Sequence, residues 1–344
     1  MKLPEHCSQC DASCFLVNAR RDVERDIVKT SRELITTRIQ CIEDVAYDVR
    51  QYTLDRVGGG HLPDAEPGAH IDVHLSNGLV RQYSLVTPGT SPTSYKIGIK
   101  RDPYGRGGSK FAFDHLKTGD ALQISVPRNN FALDETAPHT LLIAGGIGIT
   151  PIWAMAQRLQ EIGKPWKMHY ACRSRRDAPF LSELASLPFV RLHFDDEDGG
   201  RFLDVEAIVT RVSRHTHLYC CGPRAMIDGF VASAAHIPPS QVHVEYFSAD
   251  LAPDISGDFL VELRQSGREF LIPPGRTILS VLQEAGLDVP CSCEQGICGS
   301  CEMTVLSGTP DHRDSVLSDA DRASNRKIMI CCSGSKTDRL VLDF

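Results

Sequence analysis

Four cysteines near the end of the chain constrain its fold more than any other feature. Cys293 and Cys298 are separated by four residues, Cys298 and Cys301 by two, and Cys331 follows thirty positions later. This is the Cys-x4-Cys-x2-Cys…Cys order in which four thiolates hold a plant-type 2Fe-2S cluster. Gly296 and Gly299 fall inside the loop, where wrapping a cluster requires backbone freedom and amides turned toward sulfur. A zinc knuckle is the alternative reading, but such sites pair two short Cys-x2-Cys or Cys-x2-His units and no second unit lies near this one in the sequence. Cys291 and Cys332 flank the set and carry the same chemistry, so Cys331 is the ligand that spacing constrains least.

The segment that carries these cysteines reads as a module. FLVELRQSGREFLI forms two alternating strands around Gly267, and a helix runs from Thr277 as N-cap to Gly286 as its stop. Residues 258–344 are therefore expected to form a 2Fe-2S ferredoxin domain, set off by a linker at 249–257 that contains Pro253 and Gly257.

A chain of 344 residues exceeds one hydrophobic core, and its texture changes twice before that linker. Residues 33–134 contain short alternating or β-branched runs (ITTRIQCI, DVRQYTL, HIDVHL, RQYSLV, YKIGIK, ALQISV) between glycine and proline turns, the pattern of an antiparallel β-barrel. Residues 135–248 alternate strand-like and helical segments, the pattern of an α/β parallel sheet. Residues 1–32 form an N-terminal extension, expected to be disordered or loosely docked. Its Cys7, Cys10 and Cys14 would need a fourth ligand, with His6 nearest, to hold a metal.

Each of the two central segments carries an anion-binding pattern. Strand-like LLIAGG ends in Gly145, Gly146 and Gly148, with Thr150 expected to cap the following helix and Pro151 to occupy its first position. Glycines at such a turn let backbone approach a pyrophosphate at a helix N-terminus. Cys221, Gly222 and Pro223 end a later strand of the same sheet, where a thiol beside a small turn would line a nicotinamide pocket. In the barrel segment, Arg81, Tyr83 and Ser84 supply a cation for phosphate, an aromatic face and a hydroxyl. Strand alternation places Arg81 and Tyr83 on one face and Ser84 on the other. Arg106-Gly107-Gly108-Ser109 then precedes a helix-like SKFAFDHL, a second glycine turn suited to an anion.

Taken in this order, RQYS at 81–84, IKRDPYGRGGS at 99–109, GGIGITP at 145–151, CGPRAMID at 221–228 and CEQGICGSC at 293–301 resemble the phthalate dioxygenase reductase group of the ferredoxin reductase superfamily. That resemblance implies a β-grasp ferredoxin domain and FMN as the flavin. Ser84 would bond the reactive ring nitrogen, with Tyr83 beside the ring. Arg81, Lys100, Gly107, Gly108 and Ser109 fall in the flavin and phosphate segments, and Glu245 and Phe247 fall where the nucleotide domain ends against the flavin. Ser84, Cys221 and Glu245 are then the candidate catalytic residues.

Electrons would pass from NADH to FMN to the cluster and on to a Rieske-type terminal oxygenase acting on an aromatic compound, a dioxygenase or O-demethylase. Arg173, which ends strand-like KMHYACR, and the following Ser174, Arg175 and Arg176 would suit the 2′-phosphate of NADPH, whereas the resemblance favours NADH. The same centres would serve a haem-thiolate monooxygenase, or a redox-sensing module without turnover.

Composition narrows the partners. Acidic residues outnumber basic ones 44 to 37, a net charge of −7 that offers no basic footprint for nucleic acid. No apolar run is long enough for a membrane span and no secretory signal opens the chain, so a cytoplasmic protein is expected, and separately a monomer.

Overall fold

The structure is a computed structural model and describes residues 34–247 and 258–344. The N-terminal cysteines and the expected linker lie outside the described residues.

Strands β1 (Leu34–Ala46), β2 (Val49–Arg56), β3 (His70–His74), β4 (Val80–Ser84), β5 (Ser94–Lys100) and β6 (Ala121–Ser125) form one sheet in the order β4-β3-β6-β1-β2-β5. Its ladders are all antiparallel. Alternation sets the core: along β1, Ile35, Thr37 and Ile39 are buried while their neighbours are exposed. The buried set continues with Tyr52, Leu54, Ile71, Val73, Ile97 and Ile124. A bridge between Leu85 and Ile97 brings the two edge strands together, closing the barrel. Toward Val80 and Lys100, β4 and β5 are not paired with each other, which leaves the seam open. Helix α1 (Gly108–His115) lies beside it.

The second sheet contains β7 (His139–Gly145), β8 (Trp166–Cys172), β9 (Val190–Phe194), β10 (Thr216–Cys221) and β11 (Val242–Glu245), ordered β11-β10-β7-β8-β9 and wholly parallel. Helices α2 (Ile149–Glu161), α3 (Leu181–Ala185), α4 (Val205–Val209) and α5 (Arg224–Ser233) connect the strands. Successive residues of β7 feed opposite layers: Leu142 and Ala144 pack with Met155, Leu159 and Tyr170, while Leu141 and Ile143 pack with Ile227 and Phe230. A parallel sheet covered on both faces needs such a continuously apolar strand.

Helix α2 corrects one expectation. A 3-10 turn at Gly146–Gly148 begins the winding, so Ile149 takes the first helical position and Pro151 the third. Thr150 does not cap; its hydroxyl donates to the Ile147 carbonyl at 3.0 Å.

The third sheet is mixed. Strands β12 (Phe259–Leu263), β13 (Arg268–Ile272), β14 (Glu302–Ser307), β16 (Lys327–Met329) and β18 (Arg339–Leu342) take the order β13-β12-β18-β14-β16, and the short strands β15 (Pro310–Asp311) and β17 (Gly334–Ser335) pair apart. β18 runs parallel to β12 and antiparallel to β14. Helix α6 (Ile278–Glu284) packs Ile278, Leu279 and Leu282 among Val261, Leu263 and Leu340, completing a β-grasp layout. Thr277 is its N-cap, accepting from the Ser280 amide at 3.0 Å. Helix α7 (Asp319–Ser324) precedes β16. Among the described residues no helix is long and apolar enough to cross a membrane.

Candidate functional site

A cavity of about 1410 Å³ opens at the barrel seam and is bordered by the barrel, by the parallel-sheet region and by the cysteine loop at Cys293, Gln295 and Ile297. Its barrel wall is β4, from which Arg81, Tyr83 and Ser84 all reach the cavity. β4 is an edge strand, so residues from both of its faces border the seam and Ser84 reaches the cavity alongside the other two. Arg81 donates to the Val80 carbonyl at 2.8 Å and to the Arg106 carbonyl at 2.9 Å. Its stem lies across Gly108, where a Cβ would come within 2.4 Å of the Arg81 Nε. Burial, and then the nearby Arg106, lower the Arg81 pKa, which favours a site that receives an anion.

Gly107 precedes α1 with φ of 81°, in the left-handed region that glycine enters without strain. The Ser109 hydroxyl accepts the Asp102 amide at 3.1 Å, holding the turn, and Lys100 borders the cavity from the end of β5.

The opposite wall is the β7–α2 turn. Gly145, Gly146, Thr150 and Pro223 line the cavity, whereas Gly148, Pro151, Cys221 and Gly222 stand behind that wall. Close packing dictates the glycines: a Cβ on Gly145 would lie 2.6 Å from Pro223 Cδ, and one on Gly148 only 2.2 Å from the Cys221 carbonyl oxygen. Cys221 itself is fully buried, and burial pushes its thiol well up.

Glu245, at the end of β11, meets the barrel directly. Ser84 Oγ lies 3.5 Å from Glu245 Oε2. Burial raises the Glu245 carboxyl to about 8 against the opposing pull of Ser84, so it holds its proton at neutral pH. Exposed Phe247 lies at the same wall.

Of the arginines after β8, only Arg173 lines this cavity. Arg175 pairs with both oxygens of Glu197, at 2.5 and 3.0 Å, and its guanidinium sits 4.6 Å from the centre of the Phe194 ring. Arg176 stacks over Tyr47 at 4.4 Å. The Ser174 hydroxyl donates to Asp177 at 2.6 Å.

At the third border, Cys293, Cys298, Cys301 and Cys331 are all buried. Cys293 interacts with Cys298 and Cys331, and Cys301 with Cys331. Amides of Gln295 and Gly296 donate to Cys293 and Cys331, each at 3.2 Å, and the Ser300 amide donates to Cys298 at 3.4 Å. Gly296 adopts φ of +68°, and a Cβ there would lie 2.4 Å from Cys332 Sγ. Buried thiols with amides aimed at their sulfurs, on a loop with no room for a side chain at Gly296, fit a thiolate-held cluster. Among the described residues no three His, Cys, Asp or Glu side chains are grouped as ligands of one metal ion.

Several residues here were not singled out from the sequence. Asp72 and Arg128 form a two-point ion pair at 2.9 and 2.7 Å, joined by Gln82 at 3.0 Å. Burial alone would raise the Asp72 carboxyl, but Arg128, Ser292 and Gln82 together outweigh it and hold it low. His70 borders the cavity, and its buried Nε2 has no hydrogen-bond partner among the described residues. Burial, followed by Arg128, lowers its pKa to about 4, so it is neutral at pH 7.

Residues 261–335 match the 2Fe-2S iron-sulfur cluster binding domain and residues 142–232 the oxidoreductase NAD-binding domain. Phenoxybenzoate dioxygenase subunit beta of Ectopseudomonas oleovorans is 48% identical over 90% of this chain and 97% of its own. Phthalate dioxygenase reductase of Burkholderia cepacia is 39% identical over 89% of this chain and 96% of its own. A solved structure of phthalate dioxygenase reductase aligns with a TM-score of 0.70, covering 90% and 98% of the two chains. The chain belongs to the phthalate dioxygenase reductase family.

This family member is an oxidoreductase with a nicotinamide-binding and a 2Fe-2S domain, the reductase component of an oxygenase system. The same fold is shared with part of an intact type IV self-sufficient cytochrome P450 monooxygenase, at 36% identity and a TM-score of 0.81 over 90% of this chain and 41% of that one.

Proposed function

We propose that this reductase takes electrons from NADH, binds FMN in the barrel seam, and serves a Rieske-type terminal oxygenase acting on aromatic compounds. The observation that carries this reading is that one cavity is bordered by β4, by the Gly145–Gly146 turn and by Cys293. Bound there, FMN would supply the step that converts a two-electron hydride into the single electrons a cluster accepts.

The chain's own residues have separate tasks in this reading. Arg81, with the amides at the start of α1 and the Ser109 hydroxyl, would hold the flavin phosphate. Ser84 would present its hydroxyl to the ring, beside Tyr83. The start of α2, with Gly145, Gly146 and Thr150, would bind the pyrophosphate of NADH. Neutral Glu245 would keep a proton on its carboxyl next to Ser84, and Cys221 would support the nicotinamide wall through its carbonyl contact with Gly148. Cys293, Cys298, Cys301 and Cys331 would ligate the cluster.

A Rieske centre, at roughly −150 to +300 mV, lies above a plant-type cluster near about −400 mV, so delivery to it is downhill. The likeness to the P450 chain supports a haem-thiolate partner as the second reading. Purified reductase mixed with NADH and either a Rieske oxygenase or a haem-thiolate monooxygenase, each with its substrate, tests the choice. Product formed only with the Rieske protein is expected; product formed only with the haem protein overturns the assignment.

A further inference from the structure

We infer that Arg106 and Asn130 are positioning residues for electron transfer from the flavin site to the cluster, holding the ligand loop against the barrel. The inference rests on the flavin site proposed above and adds the contact that sets its distance to the cluster.

Two side chains of the barrel segment reach two different ligand cysteines. Arg106 Nη2 donates to the Cys293 carbonyl at 3.2 Å, and Asn130 Nδ2 donates to the Cys298 carbonyl at 3.1 Å. With the Gln295 amide oxygen turned toward it, the Arg106 Nε donates to that oxygen as well, at 2.9 Å. Gln295 in turn aims its backbone N–H at Cys293 Sγ. In that orientation of the Gln295 amide, one guanidinium grips both a ligand residue and the residue that hydrogen-bonds the ligand's sulfur.

Both anchors are themselves held. The Arg106 carbonyl accepts from Arg81, the cation of the proposed phosphate site, so the phosphate and cluster loops are linked through one residue. Asn130 sits between Asn129, whose side chain bonds Pro67 and Phe131, and buried Phe131. Beyond Asn129 lies Arg128, held in the Asp72 ion pair. Two donors on separate, anchored loops fix a docked loop in position and orientation, where one would leave a pivot. Electron-transfer rates fall steeply with separation, and small misplacement of reacting centres is costly.

The test uses the full-length holoprotein under anaerobic stopped flow with NADH, following flavin bleaching and cluster reduction separately. For Asn130→Ala, flavin bleaching is expected at the unmodified rate, with cluster reduction slowed by ~10-fold or more. The cluster's EPR spectrum and potential are expected to be unchanged. Arg106→Ala, with flavin content measured, is expected to show the same slowing, and Arg106→Lys to recover part of it. Hydrogen exchange at the Gln295, Gly296 and Ser300 amides, read without NADH, is expected to quicken in both alanine variants.

Cluster reduction and amide exchange at unmodified rates in both alanine variants would overturn the inference. Loss or alteration of the cluster spectrum in both would also overturn it, assigning the bonds to cluster assembly. If the unmodified protein failed to bleach with NADH, the flavin reading would fall, while the exchange measurement would still report on docking.

Discussion

Ser84 Oγ approaches Glu245 Oε2 to 3.5 Å, joining the last residue of a barrel strand to the last residue of the outermost nucleotide-domain strand. The contact places a protonated carboxyl at the cavity wall, and its pH dependence can be measured. Folding raises the Glu245 pKa from 4.5 to about 8, so between those values the folded state binds more protons than the unfolded one. Its contribution to stability is full below the lower value and is lost as pH rises to the upper. Thermal melts of the unmodified protein and Glu245→Gln should therefore diverge across that window, with the variant gaining relative stability as pH rises. A constant difference in Tm would show that the carboxyl is not shifted.

Cys331 and Cys332 are adjacent, but only Cys331 receives the Gly296 amide, while Cys332 Sγ contacts the Met329 carbonyl at 3.7 Å. Cys331→Ser is expected to lose the cluster's visible absorption and iron content, and Cys332→Ser to retain both. Iron analysis with absorption spectra checks the pair; the reverse pattern would move the fourth ligand.

Gly108 makes room for Arg81. A methyl group there meets a side chain rather than backbone, so Gly108→Ala should displace Arg81 while the barrel still folds. FMN titration of flavin-stripped protein should show ~10-fold or greater loss of affinity, the scale of one charge-assisted phosphate bond. Unchanged affinity would remove Arg81 from the phosphate site.

The Arg175–Glu197 pair bears on nucleotide choice. An arginine already matched to a carboxylate on its own domain is a poor receiver for a 2′-phosphate, and Glu197 would repel one. Glu197→Gln is expected to lower the KM for NADPH severalfold and leave that for NADH unchanged. Steady-state cytochrome c reduction with each nucleotide measures both, and equal responses would show that this loop does not contact the 2′ position.

What could be read from the sequence was what is local along it. The cysteine spacing, the alternation in ITTRIQCI and the apolar strand before Gly145 each reflect one loop or one element, and the three architectures follow from them. The start of α2 differs from the sequence expectation because a 3-10 turn through Gly146–Gly148 supplies the winding that a capping Thr150 would otherwise begin. The Arg106–Cys293 and Asn130–Cys298 contacts join positions 187 and 168 residues apart, and the His70, Asp72 and Arg128 group spans β3 and the segment after β6. Such pairs leave no period or spacing to recognise, and only the folded arrangement of the domains brings them together.

In the proposed function one cavity passes electrons from a nicotinamide to a cluster through a flavin. Anaerobic mixing of the FMN- and iron-loaded protein with NADH, without any oxygenase, tests it most directly. Flavin bleaching followed by an EPR signal from a reduced 2Fe-2S cluster is the expected result. Bleaching with no cluster signal, or a cluster signal that appears in flavin-free protein at the same rate, would contradict it.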